Sequence, residues 1–280
     1  MERYLLILGA MKCGTTALFQ ALRQHPEILP AAEKDPDYWI KEQARQEGLR
    51  GYRPLWAHHG PSSTAWHMEA STRYTQMPTY PNPAPLLAQA SAEFRFIFVT
   101  RNPLERIRSQ YEHSLAEGWF DQPIHEFLHP AAVWFSKYHL QLQPFVDWFS
   151  KEHVHVLSYE ELCSDPSAAL KGIAGFLKID AGGMPPGLPR ANDSRAYRSK
   201  RTVQKRVRGS HDGRLQERLD RDVTPTPEQA SFIRESLAED LAAFEAEWGI
   251  DPWTGERTHC GSIDRMPSLL GRAPIEALRP

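Results

Sequence analysis

The stretch Leu5-Leu6-Ile7-Leu8-Gly9-Ala10-Met11-Lys12-Cys13-Gly14-Thr15-Thr16 decides the fold, because an apolar run passes into a small-residue loop that opens a helix. Residues 4–8 have the pattern of a buried parallel strand. Apolar residues then recur at helical spacing until His25-Pro26. Because the N–H groups at a helix N-terminus are unpaired and carry partial positive charge, this pattern predicts a phosphate-binding loop.

The position of the lysine argues against the commonest nucleotide-binding loop. A Walker A loop places lysine directly after its second glycine, where it reaches the β- and γ-phosphates. Here Thr15 follows Gly14, and the lysine stands at position 12. ATP hydrolysis and nucleotide kinase activity are therefore disfavoured. A nucleotide with one 5′ phosphate group still fits, and Lys12 can reach its oxygen from the other arm of the loop.

A second stretch has a similar organisation. The strand-like run Phe94-Arg95-Phe96-Ile97-Phe98-Val99-Thr100 leads into Arg101-Asn102-Pro103, and Arg106, Ser109 and Tyr111 follow. Together the two stretches resemble the sulfotransferases that use 3′-phosphoadenosine 5′-phosphosulfate (PAPS). Residues 12–16 are similar to their 5′-phosphosulfate loop, and Arg101 with Ser109 to their 3′-phosphate element. The resemblance implies cofactor contacts from Lys12, Cys13, Gly14, Thr15, Thr16, Arg101 and Ser109.

Three weaker similarities extend the resemblance from residue 4 to about residue 180. Residues 34–39 (K-D-P-D-Y-W) look like the K-E-P-H-F-F segment of heparan-sulfate-type and bacterial members, and residues 69–74 (E-A-S-T-R-Y) look like their E-[KA]-[ST]-P-x-Y segment. Residues 138–166 resemble a long helix, a strand and an E-[DE]-L segment. Glycosaminoglycan enzymes of eukaryotes usually carry lysine where Ala70 stands, so that acceptor class is disfavoured.

Sulfuryl transfer depends on positioning and electrostatics, by analogy with phosphoryl transfer. Lys12 is the candidate for stabilising the leaving oxygen. An acceptor hydroxyl also needs a base. Asp35 aligns with the glutamate that serves as base in the K-E-P relatives, although Asp35-Pro36 is equally typical of a turn. His67, with His58 and His59, is the alternative, because the cytosolic branch of the family uses histidine.

A basic segment, residues 190–214, holds nine lysine and arginine residues against Asp193 and Asp212. It resembles the late loop of the family, which implies a flap over the cofactor with Arg195 and Arg198 touching phosphate. A solvated charge run is the alternative. Nucleic-acid binding is not expected, since groove-reading motifs and interleaved aromatic residues are missing.

Three further features of the sequence bear on function. His125-Glu126-Phe127-Leu128-His129 matches the H-E-x-x-H zinc pattern, but Pro130 follows directly and no third ligand pattern appears, so no metal is expected. The helix N-terminus and Lys12 are expected to lower the pKa of the Cys13 thiol. The aromatic residues Tyr38, Trp39, Trp56, Trp66, Tyr74 and Trp119 either line an acceptor cleft or serve the core.

Composition sets further bounds. The formal charge of −2 gives no general attraction to nucleic acid or membrane, and three dispersed cysteines offer no disulfide framework. The cysteines, the early position of the loop and the lack of a long apolar run predict a cytoplasmic protein without a membrane span. A small-molecule or glycan acceptor is the expected partner, and the sequence does not indicate an oligomeric state.

Short apolar strands at 4–8, 94–100 and 153–158 alternate with helical patterns, which predicts an α/β fold with a P-loop-like parallel sheet flanked by helices. Residues 134–149 carry one apolar helical stripe. Thr226 to Gln229 form a capping box that opens a helix of some 22 residues. The prediction is one sulfotransferase domain, residues 1–249, with a tail at 250–280. It would transfer sulfate from PAPS to an acceptor hydroxyl; a nucleotide kinase and a non-catalytic PAP- or PAPS-binding module are the alternatives.

Overall fold

The fold is built on one parallel sheet with helices around it. The computed structural model describes residues 1–60, 65–120, 122–128, 130–189 and 223–258. Its five strands lie in the order β2-β3-β1-β4-β5, and each neighbouring pair is parallel. The strands are β1 (Arg3–Gly9), β2 (Ile28–Pro30), β3 (Trp66–Ala70), β4 (Glu93–Thr100) and β5 (Val154–Ser158). The predicted α/β fold class is confirmed.

Eleven α-helices connect and cover the strands of the described chain. They are α1 (Thr15–Leu22), α2 (Glu42–Glu47), α3 (Leu49–Tyr52), α4 (Ala84–Leu87), α5 (Pro103–Glu117), α6 (Ile124–Phe127), α7 (Pro130–Trp134), α8 (Tyr138–Phe149), α9 (Tyr159–Ser164), α10 (Pro166–Leu177) and α11 (Pro227–Trp248). Short 3₁₀ turns lie at Tyr38–Ile40, Arg53–Trp56, Thr72–Thr75, Lys151–His153 and Ala181–Gly183. No described helix is long and apolar enough to cross a bilayer.

The strand register brings several loops to one edge of the sheet. Gly9 of β1 lies beside Phe98 of β4, and the N–H of Ala10 donates to the carbonyl of Val99 at 2.7 Å. Thr100 pairs with Ser158 at the end of β5. Since all strands run the same way, the loops after β1, β3, β4 and β5 share this carboxyl edge, where open α/β sheets bind ligands.

The position of β1 in the core explains why its sequence is a continuous run of apolar residues. Residues 5–8 of β1 are fully buried between two neighbouring strands and under helices on both faces. Residues buried on both faces need no polar alternation, so the strand reads as a continuous apolar run. The apolar side of α11, made of Ile233, Leu237, Leu241 and Phe244, is also buried.

Most of the aromatic residues that were candidates for an acceptor cleft belong to the core. Tyr38, Trp39, Trp56, Trp66 and Tyr74 are all buried. Several of them pack around Tyr4 and Tyr52, for example Tyr4 and Trp56 with ring centroids 5.4 Å apart. Trp119 differs, since 68% of it is exposed. The core interpretation is the correct one for the five buried rings.

One local expectation differs from the structure. The apolar stripe at residues 134–149 is not one helix: α7 ends at Trp134 and α8 begins at Tyr138. The chain bends between them, where buried Ser136 accepts a hydrogen bond from Arg106. Pro144 lies inside α8 without ending it.

The first residues after α11 pack against the same domain. Ile250 is fully buried, and the carbonyl of Trp253 accepts a hydrogen bond from the Asn102 side chain at 2.7 Å. The carbonyl of Gly255 accepts one from Ser158, also at 2.7 Å. Residues 250–258 therefore contact the loops after β4 and β5, and residues 259–280 lie outside the described chain.

Candidate active site

The loop between β1 and α1 leaves a helix N-terminus open. Gly14 is the residue before α1 and has a φ of 83°, in the left-handed region that glycine tolerates best. In the described structure no side chain caps α1. The first-turn N–H groups of an α-helix have no partner within the helix, so those of Thr15 and Thr16 remain available to an anion.

Gly14 is also constrained by its surroundings. A Cβ atom at this position would lie 2.9 Å from Cδ2 of Tyr159, the first residue of α9. Both the backbone angle and the lack of space require glycine. The ring of Tyr159 therefore sets how close α9 comes to the loop.

Lys12 lies in the same loop and is partly buried. Burial lowers the pKa of its ammonium group, and the nearby Arg101 charge lowers it further. The carboxylates of Glu112 and Glu117 on α5 act in the opposite direction. Lys12 is thus influenced by charges from the end of β4 and from α5. A partly desolvated ammonium group interacts strongly with an anion that reaches it.

Arg101 follows β4 directly and has three neighbours. Its Nη1 donates to the carbonyl oxygen of Lys12 at 3.0 Å, and its guanidinium carbon lies 4.6 Å from the ring centre of Tyr159. Glu105 of α5 lies 3.7 Å from Nη2. The guanidinium is thus held over the Tyr159 ring, and among the described residues its only carboxylate contact is the long one to Glu105. This arrangement leaves it capacity for a phosphate.

Ser109 lies on α5, two turns into the helix and partly exposed. It stands four residues after Glu105, and residues with this spacing share a helix face. Because Glu105 faces Arg101, Ser109 is on the side of α5 that looks toward the end of β4. The expected grouping of Arg101 and Ser109 is compatible with this geometry.

Arg106 adds a buried positive charge nearby. It is fully buried, and its three hydrogen-bond partners are uncharged: Ser136, Gln110 and the carbonyl of Ala132. Burial lowers the pKa of its guanidinium. In the part of the chain that the structure describes, Arg106 has no carboxylate partner, so it contributes positive potential that favours anion binding at the nearby loop of Cys13.

Asp35 lies at the carboxyl edge of the sheet, beside the end of β3. Its N–H donates to the carbonyl of Ala70 at 2.8 Å. Its side chain is 45% exposed, and it accepts a hydrogen bond from Lys34 at 2.6 Å. Asp35 has a φ of 56° and Asp37 one of 50°, so two residues of the turn have a left-handed backbone that L-residues rarely adopt.

Asp37 is buried and paired with Arg73, the charged residue of the 3₁₀ turn after β3. Burial raises the pKa of the Asp37 carboxyl, and the Arg73 charge opposes this. One carboxylate oxygen of Asp37, Oδ1, has no hydrogen-bond partner in the described structure. The backbone N–H of Asp37 donates to Ser71 Oγ at 3.0 Å.

Glu69 lies beneath this turn and is fully buried. It accepts hydrogen bonds from Tyr52 at 2.7 Å, Ser71 at 2.6 Å and Tyr74 at 2.9 Å. Burial raises the pKa of the Glu69 carboxyl to about 7, although the three hydroxyl donors oppose that rise. In the sequence, Glu69 stands out only as the first residue of the segment 69–74, and its pattern did not indicate a functional role.

The structure does not bring His67 to the loop. His67 pairs with Tyr4 in the first half of β1, near the amino end of the sheet. Five residues of a strand separate Tyr4 from Gly9, which corresponds to roughly 16 Å. Nδ1 of His67 lies 3.3 Å from the carbonyl oxygen of Arg3, and burial lowers the pKa of the His67 imidazole. His59 contacts the carbonyl of Pro30 at 2.9 Å, and His58 is exposed.

The expectation for the Cys13 thiol is wrong. Cys13 is fully buried, and burial raises the pKa of its thiol to about 12 instead of lowering it. The thiol contacts the carbonyl oxygen of Met11 at 3.6 Å. Its N–H donates to the carbonyl of Ala10 at 3.2 Å, which closes the turn of the loop.

Several predicted residues cannot be compared with the structure. Arg195 and Arg198 lie outside the described residues, as does the rest of the basic segment 190–214. In the H-E-x-x-H pattern, α6 ends at Phe127, and His129 is also outside the described residues. Among the described residues, no group of three or more potential ligands could hold a metal ion.

The described groups fit a nucleotide with phosphates at two positions. One anion fits at the open N-terminus of α1 beside Lys12, and a second fits at Arg101 and Ser109. The Arg101 charge lies near both Lys12 and Arg106, since it lowers the pKa of each of them. Tyr159 was not selected from the sequence, yet it touches both elements.

Comparison with known proteins agrees with this geometry. The model of the sulfotransferase domain matches residues 2–240, so the chain belongs to the sulfotransferase family. Members of this family use PAPS.

Carbohydrate sulfotransferase 15 of Mus musculus is 27% identical over 161 residues, which cover 43% of this chain and 28% of the relative; the Homo sapiens protein gives the same values. The match thus spans little more than a quarter of those relatives. A sulfotransferase structure from Alicyclobacillus acidocaldarius has a TM-score of 0.63 and 21% identity, covering 88% of this chain and 96% of that one. At that identity, the likeness concerns the fold alone.

Proposed function

We propose that this protein transfers the sulfuryl group of PAPS to an acceptor hydroxyl of a sugar or small metabolite. When bound, PAPS supplies a sulfuryl group on an activated phosphate. The protein then has to hold two phosphate groups, neutralise the charge that develops on the leaving oxygen and orient the acceptor.

The observation that carries this proposal is the contact of Arg101 with the carbonyl of Lys12 at 3.0 Å. It joins the loop after β1 to the end of β4, so that one rigid unit presents cations and helix N–H groups to both phosphates. In this unit Thr15 and Thr16 donate to the 5′ phosphate, while Arg101 and Ser109 bind the 3′ phosphate. Arg195 and Arg198 are proposed as further cofactor contacts on resemblance alone.

Lys12 is proposed to stabilise the leaving oxygen. Its ammonium group is partly desolvated and adjacent to the Arg101 charge, so it gains more from a developing negative charge than an exposed lysine would. This role requires proximity to the 5′ phosphate, which the loop provides.

Asp35 is proposed as the base that accepts the proton of the acceptor. Its exposed carboxylate and its hydrogen bond to the last residue of β3 support this role, because both put a proton acceptor at the carboxyl edge. His67 lies at the other end of the sheet, and the proposal therefore assigns it no part in catalysis.

A carbohydrate hydroxyl is the favoured acceptor class. The similarity to carbohydrate sulfotransferase 15 supports this choice, and Ala70 argues against a strongly anionic glycosaminoglycan.

The described cysteines, buried Cys13 and exposed Cys163, are both free thiols, which supports the proposed cytoplasmic location.

The test is to incubate the protein with PAPS and a panel of p-nitrophenyl glycosides and simple phenols, and to measure the release of PAP. Asp35→Asn should abolish turnover and leave the affinity for PAP unchanged. Asp165→Asn, which changes an exposed carboxylate at the start of α10, is the matched control. Tight PAP binding without turnover by any acceptor would favour the non-catalytic module, and a preference for ATP with Mg²⁺ would favour a kinase.

A further inference from the structure

The turn that carries Asp35 is held by side-chain hydroxyl groups. The N–H of Asp37 donates to Ser71 Oγ at 3.0 Å, and the N–H of Trp39 donates to the Tyr74 hydroxyl at 3.2 Å. Both hydroxyl groups follow β3, and both are buried. The position of residues 35–39 therefore depends on two lone pairs that side chains supply.

A hydroxyl group offers one proton and two lone pairs, so its orientation is decided by where the proton goes. Ser71 donates its proton to Glu69 Oε2 at 2.6 Å, and Tyr74 donates to Oε1 at 2.9 Å. An ionised carboxylate only accepts hydrogen bonds. In its ionised form, which predominates above about pH 7, Glu69 thereby forces both hydroxyl groups to turn their lone pairs toward the backbone of the turn.

The turn needs such support because its backbone is unfavourable. Asp35 and Asp37 both have left-handed φ values, which persist only where surrounding contacts enforce them. The carbonyl of Ala70 accepts from the N–H of Asp35 at 2.8 Å, which provides a third fixed point on β3. The buried carboxylate, two hydroxyl groups and one carbonyl thus hold three backbone N–H groups of residues 35–39.

We propose that Glu69 is a positioning residue for sulfuryl transfer, which fixes Asp35 at the carboxyl edge by orienting Ser71 and Tyr74 toward the backbone of residues 35–39. The inference rests on the proposed function in one respect, namely the role of Asp35 as base. Glu69 itself touches neither the acceptor nor the cofactor loop.

The chain offers a matched control in Tyr52. Its hydroxyl donates to the same carboxylate at 2.7 Å from α3, and in the described structure it does not receive a backbone N–H of the turn. Tyr52→Phe and Tyr74→Phe both remove one hydroxyl donor to Glu69, but only Tyr74→Phe removes the acceptor of the Trp39 backbone N–H. The ring of Tyr52, which packs on the Trp39 ring with centroids 4.9 Å apart, is retained in Tyr52→Phe.

The decisive measurement is amide hydrogen exchange of the full chain, followed on short peptic peptides that cover residues 35–40. Ser71→Ala and Tyr74→Phe should make Asp37 and Trp39, respectively, exchange about tenfold faster, the loss expected for one hydrogen bond. Tyr52→Phe should leave these amides at the wild-type rate. Unchanged exchange in both Ser71→Ala and Tyr74→Phe would overturn the inference, whatever the activity.

A kinetic measurement separates positioning from general stability. In Ser71→Ala, kcat for PAP release from PAPS should fall roughly 10- to 100-fold, the loss typical of a displaced catalytic group. The calorimetric Kd for PAP should not change, and the loss should exceed that of Tyr52→Phe. Glu69→Gln should resemble Ser71→Ala, because its NH₂ group cannot accept a hydroxyl proton.

The outcomes distinguish this inference from the proposed function. If wild-type protein does not bind PAP, the proposed function fails while the exchange data still decide how the turn is held. If Asp35→Asn retains turnover, Asp35 is not the base, and the link between Glu69 and catalysis is overturned. If exchange rises in the variants but kcat stays at the wild-type value, Glu69 is structural only.

Discussion

Arg101 donates a hydrogen bond from Nη1 to the carbonyl oxygen of Lys12, although the two residues are 89 positions apart in the chain. The side chain of one proposed phosphate-binding element thus contacts the backbone of the other. A ligand that moves Arg101 must also move the loop. The two anion positions are expected to be energetically coupled, and each should bind more weakly when the other element is damaged.

Removing either cation should weaken binding of PAP. Hydrogen bonds to charged groups contribute about 1.5 to 3 kcal/mol, so Lys12→Ala and Arg101→Ala should each raise the Kd at least about tenfold in calorimetry. Adenosine 5′-phosphate, which lacks the 3′ phosphate, should lose less affinity than PAP in Arg101→Ala, because only the coupling through the Lys12 carbonyl is then removed. Lys171→Ala on the exposed side of α10 is the control. Equal Kd values for all three variants would refute the assignment of both phosphates.

Gly14→Ala should destabilise the protein and impair binding of PAP. The φ of 83° is unfavourable for alanine, and its Cβ would lie 2.9 Å from the Tyr159 ring. We expect a loss of about 1 to 3 kcal/mol in the free energy of unfolding, measured with urea. Gly175→Ala is the contrasting change: it lies in α10 with open space around it and should stabilise by about 0.5 to 1 kcal/mol.

Glu69 should make stability depend on pH. Burial raises its pKa in the folded protein to about 7, above the ordinary value of 4.5. The neutral form is therefore favoured by folding, and this contribution is fully present below pH 4.5 and lost as the pH rises through about 7. Urea unfolding from pH 5 to 8.5 should show the loss in the wild type. In Glu69→Gln this part of the pH dependence should disappear.

His155 acts in the opposite direction and has to be separated from Glu69. Burial lowers the pKa of its imidazole to about 4, so its contribution to stability is lost as the pH falls from 6.5 toward 4. The free energy of unfolding should therefore be compared with and without Glu69→Gln in a His155→Gln background as well. If the difference between these two proteins stays constant with pH, the raised pKa of Glu69 is contradicted.

Cys13 should resist alkylation in the folded protein. Its thiol is buried and has a pKa of about 12, whereas Cys163 is exposed. Iodoacetamide at pH 8 should label Cys163 within minutes and leave Cys13 unmodified, as judged by peptide mass spectrometry. In 6 M guanidinium chloride both should react, which serves as the control. Rapid labelling of folded Cys13 would show that the loop opens easily.

The fold was predictable where one kind of residue dominates a segment. Strands β1, β4 and β5 are short and rich in Leu, Ile, Val or Phe, so each was located within one residue at either end. The helix Pro227–Trp248 was also predicted, because proline and a capping box mark its start. Strands β2 and β3 were missed. The first has three residues, and the second contains His67 and Glu69, which break the apolar pattern.

The candidate site was proposed from the sequence only where its residues lie close together in the chain. The loop at 12–16 and the segment from Arg101 to Ser109 carry their own sequence patterns. By contrast, the fixed turn at 35–39 depends on Glu69, Ser71 and Tyr74, which reach it from another strand. The burial of Cys13 could not be predicted from the sequence either, because a loop position near a helix N-terminus does not indicate which way the side chain points.

The contacts of residues 250–258 have a consequence for biosynthesis. The carbonyls of Trp253 and Gly255 accept hydrogen bonds from Asn102 and Ser158, beside the element that contains Arg101. On the ribosome, the sheet and the loop at 12–16 can form while α11 is still being translated, but these two acceptors emerge later. The phosphate-binding edge is therefore completed only after Gly255 has left the exit tunnel, and a nascent chain stalled before Trp253 should carry the loop without its full support.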